Sequence, residues 1–222
     1  MPLAHAAEAG DPWEGFNRKI MAFNDAADRW VMKPVARGYT KVVPRPARRG
    51  VSNFFSNLLY PIVIVNQFLQ GKFREGASDI GRFVVNTTVG LGGLLDPATA
   101  VGLPRNDEDF GQTFGKWGAG PGPYIVVPFL GPSTLRDGTG SLCSAALTPW
   151  RYSDEERVRY GATALYAIDA RAGLLEAEEL ISGDRYSFLR DAYLQRREFL
   201  VQDGEVEDDF MDESWDEESV EE

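Results

Sequence analysis

Hydrophobic positions recur along this chain mostly at helical spacing. Trp13, Phe16, Ile20, Phe23, Ala27, Trp30 and Pro34 alternate steps of three and four, which is one face of a helix. Asp11-Pro12-Trp13-Glu14 predicts its start: Asp11 can cap the free amides, Pro12 suits the first turn, and Glu14 can reach back as in a capping box. Pro34 predicts its end near Met32, because the residue before a proline resists helix. A second helix is predicted over 48–69, with Val51, Phe54, Phe55, Leu58, Leu59, Ile62 and Val63 as a wide apolar stripe. Ile64, Val65, Phe68 and Leu69 extend apolarity around its back, and Pro61 is expected to kink it. A third helix over 73–95 carries Ile80, Phe83, Val84 and Val89 and loosens at Gly90, Gly92 and Gly93.

Beyond it, 96–109 reads as loop. Glycines and prolines then bracket a β-prone core, Tyr124 to Val127, read as a short hairpin or extended lobe whose growth Pro128 limits. A short helical piece is expected over 133–146. Ser153-Asp154-Glu155-Glu156 reads as another capping box, followed by Val158, Ala162, Leu165, Ile168, Ala172 and Leu175 at helical spacing. A last helix over 184–201 ends at Gly204. The fold class is all-α with a small extended element.

Charge sharpens this picture. Residues 50–71, 83–95, 117–135 and 138–150 contain no ionised side chain, yet neutral polar residues interrupt them. If helical, 50–71 would be about 30 Å long, enough to cross a bilayer. Each Leu, Ile, Phe or Val contributes only roughly 0.3–0.6 kcal/mol to insertion. One unpaired amide in hydrocarbon costs roughly 4–8 kcal/mol, and Asn66 and Gln67 sit side by side. A lone span therefore loses unless neighbouring helices satisfy those amides. A plain buried core is the other explanation, but a water-soluble helical protein distributes Lys and Glu over every exposed face. The preferred reading places helices in or across a lipid layer, packed on each other, with amides facing an interior passage.

The net charge of −11 conceals an asymmetry. Asp203 and the residues after it hold 12 of the 34 acidic side chains and none of the 23 basic ones. The body is near neutral, so nucleic-acid binding is not indicated. Residues 204–222 read as an acidic, disordered tail, either inert or docked on a basic partner. Lys33, Arg37, Lys41, Arg45, Arg48 and Arg49 follow one another without an acid among them. This run reads equally as a solvated linker broken by Pro44 and Pro46 or as a patch for phosphate headgroups. With one histidine, His5, and one cysteine, Cys143, there is no material for a Ser-His-Asp triad, a usual zinc site or an internal disulfide. No G-x-S-x-G elbow and no phosphate loop are present, so neither an enzyme nor an energy source is expected. Ala4-His5-Ala6 has the small-x-small pattern that ends a secretory signal, so 1–10 reads as a residual leader of an exported protein.

Taken together, DPWEGFNRKIMAFNDAADRWVMKPVARGY, VPRPARRGVSNFFSNLLYPIVIVNQFLQG, RFVVNTTVGLGGLLDPA and FGQTFGKWGAGPGPYIVVPFLGPSTLRDGTG resemble the MlaA/VacJ family over residues 11–203. The resemblance implies a membrane-associated helical disc or ring around an amphipathic channel, in the inner leaflet of the Gram-negative outer membrane. It implies removal of phospholipid that has strayed into the outer leaflet, and delivery to a soluble periplasmic lipid carrier. It also implies work beside a trimeric porin, and no cofactor. By motif, Phe23 and Asn24 match a first-helix element that controls channel behaviour. Gly120, Pro121, Gly122, Pro123 and Tyr124, with Pro128 and Phe129, match a hairpin beside the channel, closed by Arg136 and Asp137. Turn chemistry and a local ion pair remain the plain alternatives for those positions. Many members begin with a lipid-modified cysteine, whereas no cysteine precedes Asp11 here. Either an anchor is missing from this sequence, or an Ala-x-Ala cleavage exports a chain held by its apolar girdle.

Within that frame, Asn57, Asn66, Gln67, Asn86, Thr87 and Thr88 suit a headgroup path, since they hydrogen-bond without trapping a lipid as a full charge would. Phe54, Phe55, Leu58, Leu59 and Ile62 suit acyl-chain contact. Interhelical packing is the alternative role for each. A porin-binding adaptor without its own channel is the competing function.

Overall fold

The computed structural model describes residues 11–176 and 183–204. The leader expectation at 1–10, and the tail expectation from residue 205 onward, lie outside the described residues. Helix α1 (Glu14–Ala27) does not stop at Met32. It passes through a π-helical turn (Asp28–Met32) straight into α2 (Lys33–Val42). The Lys33 N–H donates to the Asp28 carbonyl, five residues back. That wider turn inserts one residue just before Pro34, whose missing N–H would otherwise interrupt the ladder. The first half of the expected basic linker is therefore helix.

Helix α3 (Arg45–Leu69) starts with Pro46 in its first turn, where a missing N–H costs nothing, and runs through Pro61. α4 (Phe73–Thr88) is shorter than expected. Its C-terminus turns back at the glycines, where the Gly92 N–H donates to the Thr87 carbonyl and the Gly93 N–H to that of Asn86. Gly93 has φ +91°, and a Cβ there would lie 2.4 Å from that of Asn57, so only glycine lets this elbow rest on α3. The expected 96–109 loop contains one helical turn, α5 (Pro97–Ala100), capped by Asp96. A helix that the apolar pattern missed follows, α6 (Phe110–Lys116), capped by Asp109.

The β-prone segment forms an antiparallel hairpin of β1 (Tyr124–Val127) and β2 (Gly131–Thr134), in register Tyr124 with Thr134 and Val127 with Gly131. Thr134 caps α7 (Leu135–Ala146) through the Asp137 N–H. A 3₁₀ turn (Pro149–Tyr152), α8 (Glu156–Gly173) and α9 (Arg185–Val201) complete the described chain.

Neither expected capping box forms. Glu14 pairs with Arg18 at 2.7 Å, and Asp11 accepts the Trp13 N–H (2.9 Å) together with bonds from Asn17 and Tyr186, so the reciprocal Glu14 bond of a box is missing. Ser153 accepts the Glu155 N–H within a tight turn. In both cases a nearer partner takes the side chain.

The elements pack as α3 on α4, α2 on α8, and α6 on α7. The α6–α7 crossing is close: a Cβ on Gly140 would lie 2.4 Å from the Gly111 nitrogen. The compact apolar cluster is small: Met21, Tyr124, Val126 and Tyr186, with Ile20, Leu189, Tyr193 and Leu194 against it.

Candidate functional site

Polarity is inverted relative to a water-soluble helical fold. Among the described residues, the largest side chains with essentially no exposure are Gln67, Gln112, Asn17, Asn66, Thr113, Thr134 and Asp79. Leucine, isoleucine and phenylalanine normally fill that role. On the outside, 33 large hydrophobic side chains among the described residues are exposed, including Trp30 at 78%, Val42 at 81% and Leu130 at 79%. Fully burying such a side chain is worth about 1.5–3 kcal/mol, so moving even half of this area into an apolar medium contributes on the order of tens of kcal/mol. Among the described residues no helix is long and apolar enough to cross a membrane. The apolar surface is instead spread over the sides of many helices.

The interior amides are specifically held. Asn66 donates to the Ile62 carbonyl (2.8 Å) and accepts from the Thr113 hydroxyl (2.7 Å). The Asp79 carboxylate, fully buried, accepts from the Tyr60 hydroxyl (2.7 Å), from Gln67 (3.2 Å) and twice from Asn106 (3.0 and 3.1 Å). Burial, then the hydrogen bond to Asp79, pushes the Tyr60 phenol well above its usual range. Asn66 and Gln67 thus join α3 to α4 and α6 through internal bonds. Asn57 donates to Thr87 (2.9 Å), and Asn86 donates to Asp96 (3.0 Å) while accepting the Ala98 N–H (3.0 Å). Asn57 and Asn86 also line a polar cavity of about 20 Å³ together with Asn53, Ser56, Tyr60, Arg82, Asp96 and Arg105. Arg82 is bound to Asp96 at 2.6 Å.

Of the positions expected to meet acyl chains, Phe54 is exposed, while Leu58, Leu59 and Ile62 are half-buried. Phe55 is 3% exposed and packs edge-on against Trp150 and Tyr166.

The first helix holds the hairpin by its backbone. Asn17 donates to the Tyr124 carbonyl (3.0 Å) and accepts the Val126 N–H (2.9 Å). Seven residues on, Asn24 donates to the Val127 carbonyl (3.0 Å) and accepts the Phe129 N–H (2.8 Å). Phe23 meets Phe129 edge-on, with centroids 5.2 Å apart. Phe23, Asn24, Pro128 and Phe129 are therefore one unit at the hairpin tip. The glycine-proline segment continues the hairpin at its other end: the Leu135 and Arg136 N–H groups donate to the Pro123 and Pro121 carbonyls. Gly120, Pro121 and Gly122 are exposed, and Tyr124 is buried.

Asp137 is the centre of a network that the sequence shows only as a local pair. It binds Arg136 (2.9 Å), the Tyr193 hydroxyl (2.9 Å) and Arg197 (3.1 Å), which also holds Asp109 (2.6 Å). Burial alone would raise the Asp137 carboxyl. The Arg136 hydrogen bond and the charges of Arg197 and Arg136 outweigh it and hold the group below the usual carboxylate range. Asp109 is likewise lowered, by Arg197 against its own burial. The network ties α9 to α6 and α7.

On the basic run, Lys33, Arg37 and Lys41 lie at four-residue steps on α2, and Arg45, Arg48 and Arg49 occupy the first turns of α3. Asn17, Tyr60, Asp79, Asn106 and Arg197 carry structural weight that sequence reasoning missed. One signal was available: Phe16-Asn17 and Phe23-Asn24 repeat the same pair at a seven-residue interval.

This fold has known counterparts. The family model described as MlaA lipoprotein matches residues 9–200. The chain belongs to the MlaA family. Among relatives, the intermembrane phospholipid transport system lipoprotein MlaA of Shigella flexneri is 41% identical over 202 residues, covering 88% of this chain and 80% of its own length. The protein of that name from Escherichia coli K12 is 40% identical over 207 residues, with the same coverage. A solved structure from work on the structural basis for maintenance of bacterial outer membrane lipid asymmetry matches with a TM-score of 0.76 at 38% identity. It covers 86% of this chain and 99% of its own. The MlaA fold is thus mostly helical with a two-stranded hairpin, as the motif resemblance implied.

Proposed function

We propose that this chain removes mislocalised phospholipid from the outer leaflet of the Gram-negative outer membrane. It sits in the inner leaflet beside a trimeric porin and passes lipid to a soluble periplasmic carrier. The observation that carries this reading is the inversion of polarity: amides and hydroxyls inside, an apolar girdle outside. The names of the relatives, which are phospholipid transport lipoproteins, point the same way.

The physical problem is tail exposure. Each acyl methylene exposed to water costs about 0.8 kcal/mol, so a two-chain lipid faces well above ~15 kcal/mol in free solution. A conduit between helices keeps tails in apolar contact and wets the headgroup only. The amides and hydroxyls of Asn57, Asn86 and Thr87 between α3 and α4, beside a cavity the size of one water, support a headgroup path, and the exposed ring of Phe54 on α3 supports an acyl path. The conduit is passive, with direction set by lipid gradients and by the carrier.

The test is outer-leaflet phospholipid in intact cells lacking the chromosomal copy, measured by surface labelling of aminophospholipid. Loss of the chain is expected to raise it and the wild-type chain to restore it. Ser56→Trp, which puts an indole in place of a small residue lining the cavity, is expected to fail at wild-type abundance and with porin co-purification intact. Restoration by Ser56→Trp would favour the adaptor function. An outer leaflet that does not change on deletion would contradict the transport reading altogether.

A further inference from the structure

We infer that the α2–α3 corner is a contact site for anionic phospholipid headgroups, so that this family member prefers membranes carrying net negative charge. This rests on the membrane placement proposed above and adds a lipid class to it. Arg37, Lys41, Arg45, Arg48 and Arg49 make no ion pair with any described carboxylate. Elsewhere Arg18, Lys72, Arg82, Arg136, Arg171 and Arg197 are each closed by an acid, and cations outside any ion pair with a described carboxylate, such as Lys19, Arg74, Arg105 and Arg157, are spread along the chain and not grouped. The Arg48 Nε is buried without a hydrogen-bond partner. A dense group of cations left open is a site for an external anion.

The neighbouring surface identifies which anion. α2 rests on the molecule through Ala36, fully buried, and through the Tyr39 hydroxyl, which donates to Asp169 on α8 (2.9 Å). Arg37 and Lys41 lie on one flank of that contact line, four residues apart. Val35 and Val42, seven residues apart, lie on the other and are exposed, as are Trp30 and Val31 in the preceding turn. A helix exposing a cationic stripe beside an apolar stripe, with an indole at its start, is shaped for the boundary between headgroups and acyl chains. An acidic protein surface would use the cations and leave the valines wet. A phosphate-bearing lipid uses both stripes at once.

The experiment is flotation of the full chain, diluted from detergent, with phosphatidylcholine vesicles and with phosphatidylcholine–phosphatidylglycerol vesicles. A cation near an anionic surface contributes about 1 kcal/mol, or about fivefold in partitioning. The wild type is expected to partition at least ~10-fold more strongly to the mixed vesicles, with the advantage shrinking at high salt. The variant Arg37→Gln/Lys41→Gln/Arg45→Gln/Arg49→Gln is expected to lose that advantage yet still bind phosphatidylcholine. Arg37→Lys/Arg45→Lys/Arg49→Lys is expected to keep it, which separates charge from misfolding. A wild type indifferent to phosphatidylglycerol would overturn the inference. So would a glutamine variant with an undiminished preference, which would leave the corner to an acidic protein partner. A wild type that binds neither vesicle would instead overturn the membrane placement itself.

Discussion

The side-chain oxygen of Asn24 accepts the backbone N–H of Phe129 at 2.8 Å, while the same amide group donates to Val127 at 3.0 Å. One side chain thus pins the tip of a hairpin whose turn residue, Phe129, holds a left-handed φ of +63°. The hairpin cannot keep that turn by sheet pairing alone, because Pro128 has no N–H and the ladder is four residues long. Replacing Asn24 by leucine keeps the bulk and removes both bonds. A hydrogen bond of this kind contributes about 1 kcal/mol net. With both bonds lost, about 2 kcal/mol, amide exchange at Phe129 is expected to accelerate roughly 30-fold, with β1 less affected because Asn17 still holds it. Unchanged exchange at Phe129 would show that the turn stands without the clamp.

Arg197 anchors the C-terminal helix through two carboxylates, Asp109 and Asp137. Arg197→Met is expected to destabilise by about 3 kcal/mol, since it removes the cation that Asp109 and Asp137 share and leaves the buried Asp137 with Arg136 and the Tyr193 hydroxyl. The pH dependence has a definite sign. Both acids have folded-state values below their unfolded ones, so their contribution is complete above about pH 4 and is lost as pH falls through the lowered values. The wild-type α9 is expected to detach only below about pH 4. In Arg197→Met the acid midpoint moves upward, as circular dichroism in micelles would register. A midpoint that stays in place would mean that Arg197 is not what holds these carboxylates ionised.

Tyr60 reports on the buried carboxylate of Asp79. Tyr60→Phe removes one of its hydrogen-bond donors and leaves Gln67 and Asn106. A cost of about 1–2 kcal/mol is expected. Adding Asp79→Asn to the Tyr60→Phe variant should recover part of it, because a neutral amide needs less solvation than a carboxylate. Additive losses in the double variant, measured by denaturant melting, would argue that the two positions are not coupled.

The sequence pattern made the helices and the hairpin legible, because periodicity depends on local geometry. It did not reveal which way the faces point. The stripe through Phe16, Phe23 and Trp30 marks a face correctly, yet that face is exposed and Asn17 lies beneath it. In water such a stripe marks the inside; here the long uncharged runs were the signal that the medium differs. Pro34 misled because a π turn can absorb a missing N–H, and that device leaves no mark in hydrophobic spacing. Asp11 holds the Trp13 N–H but also accepts from the distant Tyr186, and Ser153 closes a local turn on the Glu155 N–H, so neither completes a box. The Asp79 and Asp137 networks were invisible because their members are scattered: Asp137 and Arg197 stand 60 residues apart. Short helix α6 escaped notice since seven residues with two glycines make a weak pattern.

The central claim is that the exposed apolar side chains contact acyl material while the interior amides do not. Spin labels placed singly at Val84, Leu142, Val42 and Trp30 in the reconstituted, Cys143→Ser chain test it through their collision rates with oxygen and with a water-soluble nickel chelate. The expected result is high oxygen and low nickel accessibility at these four positions, with the reverse at the solvent-exposed position of Asp154. Nickel accessibility at the four equal to that at Asp154 would contradict the lipid-facing girdle, and the transport reading with it.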